Sequence, residues 1–128
     1  MAREFAADLP FDPPTFSGTM ERIGPDAFEG DRLLRRGTWA VAFLADWCPF
    51  CRAFAPKFEA LAGSGPFQIA VADVTDENSP LWERFEVEVV PTLLAFRDGK
   101  SIFRRDGHLG RGLAPGDLAD LEKALGPT

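Results

Sequence analysis

Cysteine and histidine are scarce: the 128 residues hold only Cys48, Cys51 and His108. A chain of this length fits one domain and buries a core without covalent staples. Two cysteines are therefore no disulfide framework of the kind that small secreted domains need. These side chains also fall short of the roughly four ligands of a closed zinc site, and no metal is expected. Positive charge is in deficit as well, with 14 Lys and Arg against 20 Asp and Glu and a formal net charge of −6. That balance repels phosphate, which speaks against nucleic acid or an anionic membrane as partner. The longest apolar run, residues 39–45, is far short of the about 20 residues that cross a bilayer. The first residues carry Glu4 and Asp8 and no apolar stretch of the signal-peptide kind. The expectation is a cytoplasmic protein.

What the chain does contain is strand and helix in alternation. Residues 1–18, with Pro10, Pro13, Pro14 and the scattered Phe5, Phe11 and Phe16, show no period and read as an N-terminal extended arm. Residues 19–128 read as the folded domain. An extended piece over 19–23 meets the Gly24-Pro25 break. Asp26 then suits the N-cap of a helix with Phe28, Leu33 and Leu34 on its apolar side and Gly37 at its end. Residues 39–45 are continuously apolar, which suits a strand covered on both faces. From Pro49, the spacing of Cys51, Phe54, Phe58 and Leu61 predicts one face of a helix that stops at residues 63–66. Residues 67–72 predict a second strand, and Asn78 or Ser79 can cap a short helix through Leu81, Trp82 and Phe85. After Pro91 a strand over 92–96 turns at Asp98-Gly99, a pair that accepts positive φ at both positions, and returns through Ile102 and Phe103. Pro115 opens a last helix with Leu118, Leu121 and Leu125 on one face. That order implies an α/β fold, a central mixed sheet with helices on both faces.

Both cysteines fall in Trp47-Cys48-Pro49-Phe50-Cys51, where the apolar strand ends and the helix begins. Two thiols at this spacing can close and reopen a disulfide ring, and a lone pair of this kind points to redox work. With Pro49 as the first helical residue, Cys48 stands at the helix N-terminus, where unpaired N–H groups and the helix dipole favour negative charge. Cys48 is then an exposed nucleophile for a substrate disulfide, and Cys51, one turn on and facing inward, is the resolving thiol. Pro49 lacks an N–H and Phe50 is bulky, so the dipeptide stiffens the ring and bears on the balance between dithiol and disulfide. Phe50 is expected partly exposed. The plain alternative for both cysteines is core packing. His108, in a glycine-rich loop, reads as solvent-exposed without a role, and Arg52 and Lys57 as a solvated helix face.

The stretch Phe43-Leu44-Ala45-Asp46-Trp47-Cys48-Pro49-Phe50-Cys51, with Pro56 and the later Val90-Pro91-Thr92, resembles the thioredoxin family, over about residues 19–125. The resemblance implies a thioredoxin-like fold with Cys48 and Cys51 as the catalytic pair. It also implies a kink at Pro56, a cis Pro91 facing the disulfide, Val90 offering backbone to an extended substrate strand, and Trp47 flanking the site. Substrate contacts then fall on Trp47, Pro49, Phe50, Val90 and Pro91. The chain departs from the family in three places. The buried aspartate falls on Ala42 and its companion lysine on Val71 or Ala72, the tryptophan four residues before the nucleophile is Leu44, and Pro-Phe stands between the cysteines where thioredoxins proper have Gly-Pro. Without the acid, Cys51 lacks its proton acceptor, so resolution should be slower or shifted in pH.

The implied function is that of a monomeric thiol–disulfide oxidoreductase acting on protein disulfides. The reductant direction follows from a reducing cytosol. It needs no bound cofactor, and a reductase or thiol donor recycles the pair. The alternatives are an oxidase or isomerase, an iron–sulfur cluster shared by two chains, and a non-catalytic binding module.

Overall fold

The computed structural model of the protein describes residues 20–126, so the arm expected over residues 1–18 lies outside the described residues. In chain order the elements are β1 (Arg22–Ile23), a 3-10 turn (Pro25–Ala27), β2 (Phe28–Glu29), β3 (Arg32–Leu33), β4 (Thr38–Leu44), α1 (Pro49–Glu59), β5 (Gln68–Asp73), α2 (Leu81–Arg84), β6 (Thr92–Arg97), β7 (Lys100–Asp106) and α3 (Pro115–Leu125). Five strands form one mixed sheet in the order β1-β5-β4-β6-β7. The β1–β5 and β5–β4 pairs are parallel, and β4–β6 and β6–β7 are antiparallel.

Strand β4 is apolar throughout because both of its faces are covered. Register places Trp39, Val41 and Phe43 on the same face as Phe96, Leu94 and Thr92 of β6. On that side Phe43 and Phe96 meet Phe28 and Phe85, with ring centroids 5.2 Å apart for Phe43–Phe85 and 4.9 Å for Phe28–Phe85. The opposite face carries Ala40, Ala42 and Leu44, and there α3 crosses the sheet, held at its end by Arg97 Nη2 donating to the Leu125 carbonyl at 3.2 Å. Helix α1 lies beside α3, and Phe54 and Leu118 line one cavity between them.

The helix expected from Asp26 is not formed. A 3-10 turn gives way to the β2–β3 hairpin, with Phe28 opposite Leu33 and Gly30 turning at φ +60°. The reason lies in the ring cluster. Five residues apart on a helix, Phe28 and Leu33 would point about 140° away from each other, whereas the ladder sets them side by side and buries both. The hairpin docks through Leu33 N–H to the Gly99 carbonyl at 3.0 Å. The β6–β7 turn has the expected form, with Asp98 at φ +51° and Gly99 at φ +91°.

Candidate active site

The chain leaves β4 at Leu44 and enters α1 at Pro49, with Cys48 as the N-cap in extended conformation (φ −98°, ψ 114°). A helix start leaves its first N–H groups without partners. Here the Cys51 N–H finds one in Cys48 Sγ at 3.3 Å, so sulfur takes the place of the usual serine or aspartate oxygen. The Cys48 thiol in turn donates to the Val90 carbonyl at 3.5 Å. The Val90–Pro91 peptide is cis, and Pro91 is buried. Both cysteines are free thiols.

Cys51 is fully buried and Cys48 is only 5 % exposed. This corrects the expectation of an exposed nucleophile: the carbonyl of Val90 and the start of α1 close over the sulfur. The surface around it is made instead by Trp47, 48 % exposed, Phe50, 39 % exposed, and the exposed Pro49. Burial pushes the Cys51 thiol well above its ordinary range. A hydrogen bond with the Ala45 backbone opposes that shift, the Cys48 sulfur adds to it, and the Arg52 charge counters it. Ala42, where the resemblance places the family's acid, is fully buried.

The loop after β5 holds the outer wall. Trp47 Nε1 donates to the Thr75 carbonyl at 2.9 Å, and its ring stacks on Trp82 at 6.2 Å and 10°. Thr75 Oγ1 accepts the Asp46 N–H at 2.9 Å and donates to Asp73 Oδ1 at 2.6 Å. Arg52 is exposed yet not idle, since its Nη1 donates to the Asp46 carbonyl at 2.8 Å. The sequence places Trp82 on a short helix without linking it to the site, and does not single out Thr75. The one signal for Thr75 was the Asp73-Val74-Thr75 pattern after a strand, which suits an Asx turn.

The glycine-rich loop of His108, expected to have no role, also borders the site. His108 is exposed, but its N–H and carbonyl pair with Gly112 at 2.8 Å each, closing a tight turn. Gly107 rests against the Pro91 carbonyl so closely that a Cβ there would overlap it, and a Cβ on Gly112 would come within 3.0 Å of the Phe50 side chain. This turn thus touches both halves of the site. Among the described residues, no three His, Cys, Asp or Glu side chains converge as a metal site would need.

A sequence model described as Thioredoxin matches residues 22–114. A thioredoxin domain-containing protein of Theileria parva is 40 % identical over 92 residues, which are 70 % of this chain and 42 % of that longer protein. Thioredoxin of Rhodospirillum rubrum is 35 % identical over 91 residues, covering 70 % of this chain and 88 % of the relative. The chain also matches, at 35 % identity over 103 residues, a fifth (20 %) of the chicken protein disulfide-isomerase A3, covering 79 % of itself. Among solved structures, Fasciola hepatica thioredoxin superposes with a TM-score of 0.58 at 32 % identity, covering 70 % of this chain and 81 % of the other. The long form of spinach chloroplast thioredoxin F reaches 0.66 at 22 % identity, with 84 % and 87 % covered, a likeness of fold.

Proposed function

The chain belongs to the thioredoxin family, and on that premise we propose that it is a reductant of protein disulfides, with Cys48 as nucleophile and Cys51 as resolving thiol. The observation that carries this reading is the hydrogen bond from the Cys51 N–H to Cys48 Sγ at 3.3 Å, made while Cys51 itself is sealed in the core. A negative charge on Cys48 Sγ is met by that N–H and by the positive end of α1. A charge on Cys51 meets mostly apolar surroundings.

The exchange then runs in two displacements. Cys48, having given up its proton, attacks one sulfur of a substrate disulfide. The Cys48–substrate S–S bond forms, the substrate bond breaks, and the other substrate sulfur leaves with the electron pair and takes up a proton. Cys51 next loses its proton and attacks Cys48 Sγ, releasing the second substrate thiol and leaving the Cys48–Cys51 disulfide. Two electrons and two protons have passed to the substrate. A reductase or small thiol must return them, in a reducing compartment such as the cytoplasm. Trp47, Pro49 and Phe50, beside Cys48 in the chain, and Val90 and Pro91, whose segment carries the carbonyl met by the Cys48 thiol, are the proposed substrate contacts. An iron–sulfur cluster shared by two chains would need both sulfurs at the surface, which their burial opposes.

The test is the equilibrium of the Cys48–Cys51 pair against a glutathione buffer series, together with insulin reduction. A midpoint at or below about −230 mV supports the reductant. One near or above about −180 mV transfers the protein to the isomerase and oxidase side. Insulin reduction that survives Cys48→Ser removes the proposal altogether.

A further inference from the structure

Between α1 and the turn of residues 107–112 lies a cavity of about 180 Å³ lined by the apolar Phe50, Phe54, Leu113 and Leu118 and by the cations Lys57 and Arg111. Small-molecule sites run to about 300–1,000 Å³, so this one suits a single large apolar side chain rather than a cofactor. Its charge is also unlike the rest of the protein. The chain carries 20 acids against 14 bases, yet among the described residues that line the cavity there are two cations and no carboxylate. The cavity adjoins the redox motif through Phe50, which stands between the two cysteines in the chain, lines the cavity and lies against Gly112.

Resting on the reading above, we infer that this cavity is a docking subsite for protein substrates carrying an apolar side chain and an acidic residue close to the attacked cysteine. Helix geometry sets the spacing. From Cys48 to Lys57 the rise along α1 is about 13 Å, which an extended substrate strand covers in about four residues. The acid therefore belongs about four residues from the substrate cysteine, and the apolar side chain lies between the two. Opposite charge at the rim of a docking surface acts on encounter and partner choice, and weakens with salt.

The experiment uses the reduced full chain and two synthetic peptide disulfides. Both carry phenylalanine beside the cysteine, with either two aspartates or two lysines about four residues away. Hydroxyethyl disulfide, neutral and small, gives the reference rate for each protein variant. Normalised to that reference, the aspartate peptide should react about tenfold faster than the lysine peptide, and Lys57→Glu/Arg111→Glu should reverse the order. The preference should shrink in high salt. Equal normalised rates for the two peptides, or an order that the double variant leaves intact, overturn the subsite. So does a rise with both peptides in the variant. That would mean that the two cations hinder access to Cys48 whatever the charge of the peptide. Absence of reaction with hydroxyethyl disulfide in the unmodified protein counts against the oxidoreductase reading instead.

Discussion

Replacing Cys51 by alanine in the reduced protein removes a thiol that the fold holds neutral, and the consequence is readable in how stability depends on pH. In an unfolded chain a cysteine ionises near pH 8.5. In the fold, burial above all keeps the Cys51 thiol protonated to much higher pH. The folded pKa is thus the raised one. The stability that goes with the neutral thiol is fully present below about pH 8.5 and is lost as pH climbs from there towards the folded value. Within that window the unfolded chain binds one proton fewer than the native chain, so unfolding free energy falls by about 1.4 kcal/mol per pH unit. Between pH 7.0 and 9.5 the reduced wild type should lose about 1.4 kcal/mol relative to Cys51→Ala. The variant's own cost of a small cavity in the core is the same at both pH values. Urea melts in a phosphine reductant, followed by tryptophan fluorescence, give the two differences. A gap between wild type and variant that stays constant within about 0.3 kcal/mol would refute the argument. The same proton has a kinetic side. Resolution requires Cys51 to ionise, and the residue in the place of the family's acid is Ala42, so decay of a mixed disulfide on Cys48 should quicken about tenfold per pH unit between pH 7 and 9.

Gly107→Ala should cost about 1–3 kcal/mol, because the new methyl meets the backbone carbonyl of Pro91 rather than a side chain that can swing away. Its insulin reduction should fall further than its stability accounts for, since the displaced segment before β6 carries the Val90 carbonyl that lies on Cys48. Unchanged activity in a destabilised variant would separate the turn from the site. Thr75→Val deprives the Asp46 N–H and Asp73 Oδ1 of their shared hydroxyl and should cost about 1–2 kcal/mol in a urea melt. It should also shift the emission of Trp47, whose indole N–H is held by the carbonyl of the same residue. Asp117→Ala leaves the Ala114 N–H at the start of α3 without its carboxylate partner at 2.7 Å, and a midpoint loss equivalent to about 1 kcal/mol is expected in the same assay.

How much of this was legible in the sequence depended on whether the cause was local. Helix α1 announces itself through Pro49 at its start and the recurrence of Cys51, Phe54 and Phe58, all of which the fold buries. Strand β4 shows in its unbroken apolar run, and the β6–β7 turn in Asp98-Gly99, because each of those signals is set by neighbours along the chain. The segment over residues 26–34 misled because its strands are two residues each, too short to show alternation. What selects the hairpin is the aromatic cluster with Phe43 and Phe85 and the bond to Gly99, all far away in sequence. The active site divides in the same way. Cys48, Cys51, Trp47 and Phe50 could be read from one short stretch. The residues that hold that stretch in place, Thr75, Trp82, Gly107 and Gly112, come from the loop after β5, from α2 and from the turn of residues 107–112, with no motif linking them to it. The burial of Cys48 was illegible for the same reason, since a carbonyl 42 positions away covers it.

The polar groups around the cysteine pair also argue for the order in which the two sulfurs act. The Asp46 N–H is held by Thr75 Oγ1, the Asp46 carbonyl by Arg52, the Trp47 indole by the Thr75 carbonyl, and the Cys51 N–H by Cys48 Sγ. The stretch that carries Cys48 is therefore braced from both sides, while the proton of its thiol goes to the Val90 carbonyl in a long S–H contact at 3.5 Å. Giving up that proton forfeits a weak bond. The N–H from Cys51 stays in place, and becomes a stronger, charge-assisted bond once Sγ is negative. In the second displacement Cys48 Sγ is the sulfur attacked, and the electron pair leaves with the substrate sulfur. The reverse assignment fails on both counts: a substrate sulfur would have to reach the fully buried Cys51, and the charge on Cys51 would develop where burial opposes it. In the proposed reaction the substrate therefore meets Cys48 first, and the chemistry of Cys51 is confined to the one sulfur that already lies within reach of its backbone.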